Sequence, residues 1–370
     1  MILEKIHLVH YRNYLNQSFS FSKGINYIVG KNAQGKTNLL ESIYYCSTTK
    51  THRNVEDVCC IMEGQDSFKI EADIVKKNRH TDMKIIYTKS GKNLFLYHNP
   101  IKKVSDFVGF VNVIMFSPDD MNLFSSQPKI RRRFMDIELS KCSKTYLFTL
   151  NEFYRVLKER NAYLKNEHLN EDYLEILNEK CAHLESILIY QRNQFLHDLQ
   201  KISQPFYEKL SSDQTSFAIV YKTFVKPDTV ENMKNEIMKI YRDNIDRDIF
   251  LKSTEKGIHK DDFVLMIQGK NAEEFASQGQ KRTILLSLKI GIVKLIERII
   301  HDEPILLLDD VFSELDEKRR SDLMNLLPEN IQIFISTTEM IYKTYDREIN
   351  TIIIENGNEK KEDTSNGRKA

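Results

Sequence analysis

Ile25-Asn26-Tyr27-Ile28-Val29-Gly30-Lys31-Asn32-Ala33-Gln34-Gly35-Lys36-Thr37-Asn38 is the stretch on which the reading of this chain turns. Its first half alternates and carries β-branched residues, which predicts a short buried strand. Gly30 to Thr37 fits G-x-x-x-x-G-K-[ST], and Asn38-Leu39-Leu40-Glu41-Ser42-Ile43-Tyr44-Tyr45 continues with the apolar period of a helix. Strand, glycine loop and helix are the context this motif needs. Gly30 and Gly35 let the backbone curl so that successive N–H groups face phosphate oxygens. Lys36 supplies a positive charge for the β- and γ-phosphates, and the Thr37 hydroxyl is placed to ligate Mg²⁺. The helix starting near Gly35 turns its positive end toward the same anion. The pattern implies a nucleoside triphosphate site formed by residues 30–38.

A second segment completes that chemistry. Pro304-Ile305-Leu306-Leu307-Leu308-Asp309-Asp310 is an apolar run ending in two acids. In proteins with such a loop, a neighbouring buried strand carries an acid that helps hold Mg²⁺. Asp309 is predicted in that role. Asp310 follows at the strand's end, where a carboxylate can accept a proton from an attacking water. No His/Cys cluster has metal-ligand spacing, so Mg²⁺ accompanying ATP is the one metal expected.

The composition fits such a protein without pointing to a partner. At 370 residues with 41% apolar content, the chain can form one large or two ordinary domains. A net charge of +1 predicts neither nucleic acid nor membrane from whole-chain balance, so such a partner must be argued from local patches. The five cysteines, 46, 59, 60, 142 and 181, form no CxxC pair and fit reduced thiols. The chain opens directly on strand-like sequence without a signal peptide, and no apolar run spans a bilayer. A soluble, cytoplasmic protein is expected.

Periodicity divides the chain. Residues 1–22 predict a strand pair turning at Tyr11-Arg12-Asn13-Tyr14, and 68–75, 83–88, 94–97 and 111–116 predict an antiparallel addition to the first lobe. Roughly 120–245 is free of glycine and helical in period, with breaks at 166–172 and near 211–214, and a strand-like Phe217-Ala218-Ile219-Val220-Tyr221. First-lobe character returns at about 257, with strands at 263–267, 305–309 and 331–336 and a helix over 278–300. The expected architecture is α/β: a lobe built from 1–118 and 250–356 with a mixed sheet, a compact helical lobe inserted over 119–249, and a flexible tail over 357–370.

A third motif, Ala276-Ser277-Gln278-Gly279-Gln280-Lys281-Arg282, stands ahead of the long helix. Ser277 is a good N-cap and Gln280 occupies the capping-box partner position. The same S-x-G-Q resembles the signature of the ABC-type ATPases, in which serine and helix N-terminus grip the γ-phosphate of ATP held by a second subunit. About 30 residues separate Ser277 from Asp309, the spacing of that superfamily. Ser313-Glu314-Leu315-Asp316 resembles its D-loop, and Ile335-Ser336-Thr337-Thr338-Glu339 its switch strand, with Thr338 where transporter ATPases carry histidine.

The resemblance narrows to the RecF family of this superfamily. Phosphate loop and signature lie about 240 residues apart, more than in transporter ATPases and fewer than in SMC-type coiled-coil proteins. Leu8-Val9-His10-Tyr11-Arg12-Asn13-Tyr14, the loop through Glu41, and Lys50-Thr51-His52-Arg53 are similar to that family. So are Phe116-Ser117-Pro118-Asp119-Asp120, Arg131-Arg132-Arg133-Phe134-Met135-Asp136, Lys158-Glu159-Arg160-Asn161 and Gly257-Ile258-His259-Lys260-Asp261-Asp262. The signature segment and Leu307-Leu308-Asp309-Asp310-Val311-Phe312 extend the likeness to about residue 355. One departure is Ile258, where the family usually has proline.

This resemblance implies an ABC-type P-loop ATPase lobe and an ATP-gated DNA-binding protein of recombinational repair. Two subunits would sandwich two ATP molecules, each completed in trans by Ser277, Gln278, Gly279 and Gln280. The dimer would bind single-stranded, gapped or junction DNA, help RecO and RecR load recombinase, and be released by slow hydrolysis. Lys36, Asp309, Asp310 and Ser277 would be catalytic, Thr37 and Asp309 would hold Mg²⁺, and Arg12 and Asn13 would belong to the ATP site, one or the other near the adenine. Residues 129–165 hold ten Lys/Arg against four acids, so Arg131, Arg132, Arg133, Lys158 and Arg160 are the candidate phosphate contacts. The alternative, an ABC-type motor subunit coupled to another protein, would be expected to carry histidine at 338.

Overall fold

The computed structural model describes residues 1–53, 55–124, 127–211, 215–312, 315, 317–339 and 347–360. They form two compact units, one of residues 1–120 with 292–370 and one of residues 121–291.

The first unit carries two sheets. In one, strands Tyr14–Ser20, Ile2–Tyr11, Ser67–Lys76, Arg79–Thr88, Gly91–Leu96 and Asn99–Ile101 lie side by side and antiparallel. Alternate residues of Ile2–Tyr11 and Ser67–Lys76 turn inward, the pattern of a sheet with one covered face. The other sheet places Ile349–Glu355, Ile25–Val29, Ile333–Thr337, Ile305–Leu308 and Val113–Phe116 in parallel order, with a short antiparallel edge at Asn358–Glu359. All of Ile25–Val29, Ile305–Leu308 and Ile333–Thr337 is buried, which is why these segments read as unbroken apolar runs.

Helix Lys36–Thr48 packs against strands of both sheets. Eleven of its thirteen residues are buried, Lys36, Glu41, Ser42, Ser47 and Thr48 among them, so it is covered around most of its circumference instead of along one stripe. Leu39, Leu40, Ile43 and Tyr45 join Leu8, Phe68, Ile28 and Leu307 in one continuous core.

The strand expected at 111–116 forms over Val113–Phe116, but it pairs in parallel with the acid-bearing strand and takes no part in the antiparallel sheet. Its four consecutive buried residues suit a segment covered on both faces.

The second unit is mainly helical: Pro128–Cys142, Lys144–Tyr163, the forty-residue Glu171–Leu210, Val230–Asp243 and Ile245–Leu251. Asn170 caps the long helix by accepting from Tyr173 N at 2.9 Å. Strands Phe217–Lys222, Asp262–Ile267 and Lys270–Asn271 form an antiparallel sheet within this unit. The strand near 263–267, expected in the first lobe, therefore pairs with Phe217–Lys222, because alternation identifies a strand but not its partner. The boundary between the units falls at 291/292, inside helix Gln278–Ile300, and beyond the expected 249/250. Gly291 makes a close helix crossing possible, since a Cβ there would stand 2.0 Å from Ser203 Oγ.

Candidate functional site

Strand Ile25–Val29 delivers the chain to Gly30, whose N–H donates to Thr337 O at 3.3 Å. A Cβ on Gly30 would approach Ile354 O to 2.5 Å, so glycine is required by the neighbouring backbone. Ala33 (φ 63°) and Gly35 (φ 116°) are left-handed. Such residues curl a loop so that successive N–H groups converge on an anion. Helix Lys36–Thr48 begins immediately afterward, with its positive end at the loop.

Lys36 is folded back on the loop. Its Nζ donates to Gly30 O at 2.6 Å and to Lys31 O at 2.9 Å. Burial lowers its pKa, while Asp310 and Asp309 oppose that shift. The Thr37 hydroxyl donates to Asp309 Oδ1 at 3.0 Å, and Ser336 Oγ donates to the same oxygen at 2.7 Å. Asp309 is 5% exposed, and burial raises its carboxyl above the usual range despite those two donors. Asp310 is exposed and left-handed (φ 53°), and its N–H donates to Ser336 Oγ at 2.8 Å. The structure thus gathers lysine, hydroxyl and two acids from segments 272 residues apart in sequence. A hydroxyl and a carboxylate at hydrogen-bond distance are hard oxygen donors of the kind Mg²⁺ takes, and Thr37 with Asp309 would hold it.

A second layer fixes the loop's flank. Asn13 Nδ2 donates to Gln34 O at 3.1 Å, and Asn38 Nδ2 donates to Asn13 Oδ1 at 2.8 Å. Tyr14 OH donates to Gly35 O at 2.9 Å. Arg12 instead grips Glu41 through Nε at 2.8 Å and Nη2 at 3.0 Å. Fully buried Glu41 also accepts from the Thr51 hydroxyl, with His52 Nδ1 at 3.8 Å and Arg53 Nε at 4.0 Å. Burial opposes its charge, but Arg12 and Thr51 hold its carboxyl below the ordinary range. The turn after Ile349–Glu355 reaches the loop as well: Asn356 N donates to Gln34 Oε1 and Gly357 N to Gln34 O at 3.2 Å. Sequence reading missed the placing roles of Glu41, Ser336 and this turn. Glu41 carried a signal, the one carboxylate of this helix, set between Leu39-Leu40 and Ile43 on the apolar stretch.

Ser277 lies in the second unit, exposed beside helix Gln278–Ile300. The capping box is reciprocal: Gln280 N donates to Ser277 Oγ at 3.2 Å and Ser277 N to Gln280 Oε1 at 2.9 Å. Gln278 is exposed, and Gly279 and Gln280 are half-buried. Of the expected D-loop, Ser313, Glu314 and Asp316 lie outside the described residues. The strand expected to act as the switch ends at Thr337, followed by exposed Thr338 and Glu339.

The basic segment needs correction. Arg160 is fully buried, donating to Asn178 Oδ1 at 2.8 Å and Thr254 Oγ1 at 2.6 Å and pairing with Asp248 at 2.8 Å. Arg131 is 5% exposed and forks onto Asp262 at 2.7 and 2.8 Å. Neither presents its guanidinium to a phosphate. The charge count misled because these cations, with buried Lys141 on Glu138, neutralise interior acids. Arg132 donates to Asp261 O at 2.7 Å and, like Arg133, is half-buried. Lys158 is exposed, as are Lys129, Lys144 and Lys165. Among the described residues, no helix is long and apolar enough to cross a membrane, and no group of three or more His, Cys, Asp or Glu is placed to hold a metal.

Comparison with known proteins finds relatives along nearly the whole chain. The sequence model described as the RecF/RecN/SMC N terminal domain matches residues 2–360. The DNA replication and repair protein RecF of Oceanobacillus iheyensis is 38% identical over 348 residues, covering 92% of this chain and 94% of that one. Its counterpart in Streptococcus gordonii is 36% identical over 360 residues, covering 97% and 99%. Among solved structures, the recombination mediator protein RecF with ATP in the RecFOR pathway superposes with a TM-score of 0.90 at 29% identity, covering 97% and 98%. An SMC head bound to the C-winged helix domain of ScpA gives 0.55 at 15% identity, covering 97% of this chain and 96% of that one, a likeness of fold alone.

Proposed function

The chain belongs to the RecF family of DNA replication and repair proteins, and from that premise we propose an ATP-gated DNA-binding protein of recombinational repair. One observation carries the nucleotide half of this reading. Thr37, beside Lys36 at the head of a buried helix, meets Asp309 at the end of a parallel strand, with Thr37 Oγ1 and Asp309 Oδ1 3.0 Å apart. ATP would displace the Lys36 ammonium from Gly30 O and Lys31 O, and residues 30–38 would cradle the phosphates. Mg²⁺, when bound at Thr37 and Asp309, would offset phosphate charge. Asp310 would accept the proton of the attacking water.

Ser277 to Gln280 of a second copy would close the site, so that dimerisation depends on ATP. The exposed position of Ser277 supports this reading, since a hydroxyl at a helix N-terminus suits a phosphate oxygen. The dimer would hold single-stranded, gapped or junction DNA and act with RecO and RecR, and slow hydrolysis would release it. Exposed Lys129, Lys144, Lys158 and Lys165 are the phosphate-contact candidates; Arg155 is exposed as well but pairs with Glu152 and Glu159. A cytoplasmic location goes with this role.

The test is a gel-shift titration of a gapped duplex with and without a non-hydrolysable ATP analogue. Binding that tightens with nucleotide supports the clamp. Binding indifferent to nucleotide turns the reading toward a motor coupled to another protein.

A further inference from the structure

Ser336 stands on strand Ile333–Thr337, between the strand that feeds the phosphate loop and the strand that ends in the two acids. It is 1% exposed. Parallel register sets Ile335 beside Leu308 and Ser336 beside Ile28. The hydroxyl therefore emerges level with the turn from Leu308 into Asp309 and Asp310.

Its hydrogen bonds have a forced direction. A backbone N–H only donates, so Ser336 Oγ is the acceptor for Asp310 N at 2.8 Å, and its single proton goes to Asp309 Oδ1 at 2.7 Å. One atom thus ties down the carboxylate of Asp309 and the backbone of Asp310. The second tie matters because Asp310 is left-handed at φ 53°, a conformation costly for a residue with a Cβ unless its surroundings hold it.

The Thr37 hydroxyl also rests on Asp309 Oδ1, at 3.0 Å. If Thr37 turns to a metal, the Ser336 bond is the described side-chain donor left to orient that carboxylate. We propose that Ser336 is the positioning residue for both acids: it orients Asp309 for Mg²⁺ and holds Asp310 on the turn where it meets the attacking water. Ser336 precedes Thr337-Thr338-Glu339, so a shift of that strand end would be transmitted to the acids through one hydroxyl. This inference rests on the nucleotide-site reading above.

The test compares Ser336→Ala and Ser336→Thr with wild type in the full chain, using a fluorescent ATP analogue titrated with Mg²⁺ and in EDTA, with hydrolysis measured in parallel. Loss of an outer hydrogen bond to a metal ligand costs about 10- to 100-fold in metal affinity. Ser336→Ala should therefore need at least about tenfold more Mg²⁺ for half-maximal binding, with slower turnover and unchanged binding in EDTA. Ser336→Thr, which keeps the hydroxyl, should restore both, and its recovery excludes a mere folding defect. A Mg²⁺ requirement unchanged in Ser336→Ala, or equal losses with and without Mg²⁺, would overturn the proposal. Failure of wild type to bind the analogue at all would instead overturn the nucleotide site.

Discussion

Thr37 Oγ1 and Asp309 Oδ1 meet at 3.0 Å although 272 residues separate them in sequence. The contact joins the head of a buried helix to the end of a parallel strand two positions across the sheet from the loop strand. Lys36, one residue earlier, bonds two loop carbonyls, whose place phosphate oxygens would take on the proposed reading.

Lys36→Ala should abolish measurable ATP binding. Thr37→Ala should keep weak binding in EDTA but lose most of the Mg²⁺-dependent gain. Calorimetric titration with and without Mg²⁺ separates the two, and tight ATP binding by Lys36→Ala would refute the site.

Ser277 is exposed and caps its own helix. Ser277→Arg removes that cap, at about 1 kcal/mol, and places a bulky cation where a second copy's phosphate would lie. The variant should bind ATP with near-normal affinity yet remain monomeric by light scattering. A normal ATP-dependent dimer would eliminate the trans role.

The basic segment divides into cations buried on acids, such as Arg160, and cations left exposed, such as Lys158. Arg160→Ala leaves Asp248, 1% exposed, without its buried partner and should cost about 3–5 kcal/mol in urea unfolding. Lys158→Ala should change stability by less than about 0.5 kcal/mol. It should flatten the salt dependence of DNA binding by about one ion. Equal stability losses in the two variants would contradict this division.

Glu185 lies fully buried in the second unit, accepting from Tyr241 OH at 2.7 Å and Ile258 N at 3.0 Å. Burial pushes its carboxyl up to about 8. The folded chain then holds one more proton than the unfolded chain between the ordinary carboxyl value of 4.5 and about 8. That contribution is complete below the lower value and declines as pH rises through the window, at most about 1.4 kcal/mol per unit, until it is lost above 8. Glu185→Gln should flatten this slope in urea melts at pH 5.5, 6.5 and 7.5, and an unchanged slope would assign the effect elsewhere.

Local chemistry made the loop legible. Gly30, Gly35, Lys36 and Thr37 must stand at fixed spacing because one turn of backbone has to wrap one anion, and Ser277 with Gln280 follows from helix geometry in the same way. The acid strand was readable because burial on both faces leaves an unbroken apolar run. The sequence by itself determined these short-range pieces. Only the tertiary structure decided which strand lies beside which: that 113–116 joins the parallel sheet, that 262–267 pairs with 217–222, and that Ser336 reaches both acids. It also decided which arginines face inward, as Arg131 and Arg160 do. Periodicity records how a segment is covered, while its neighbours are set by contacts between residues far apart in the chain, which no local pattern encodes.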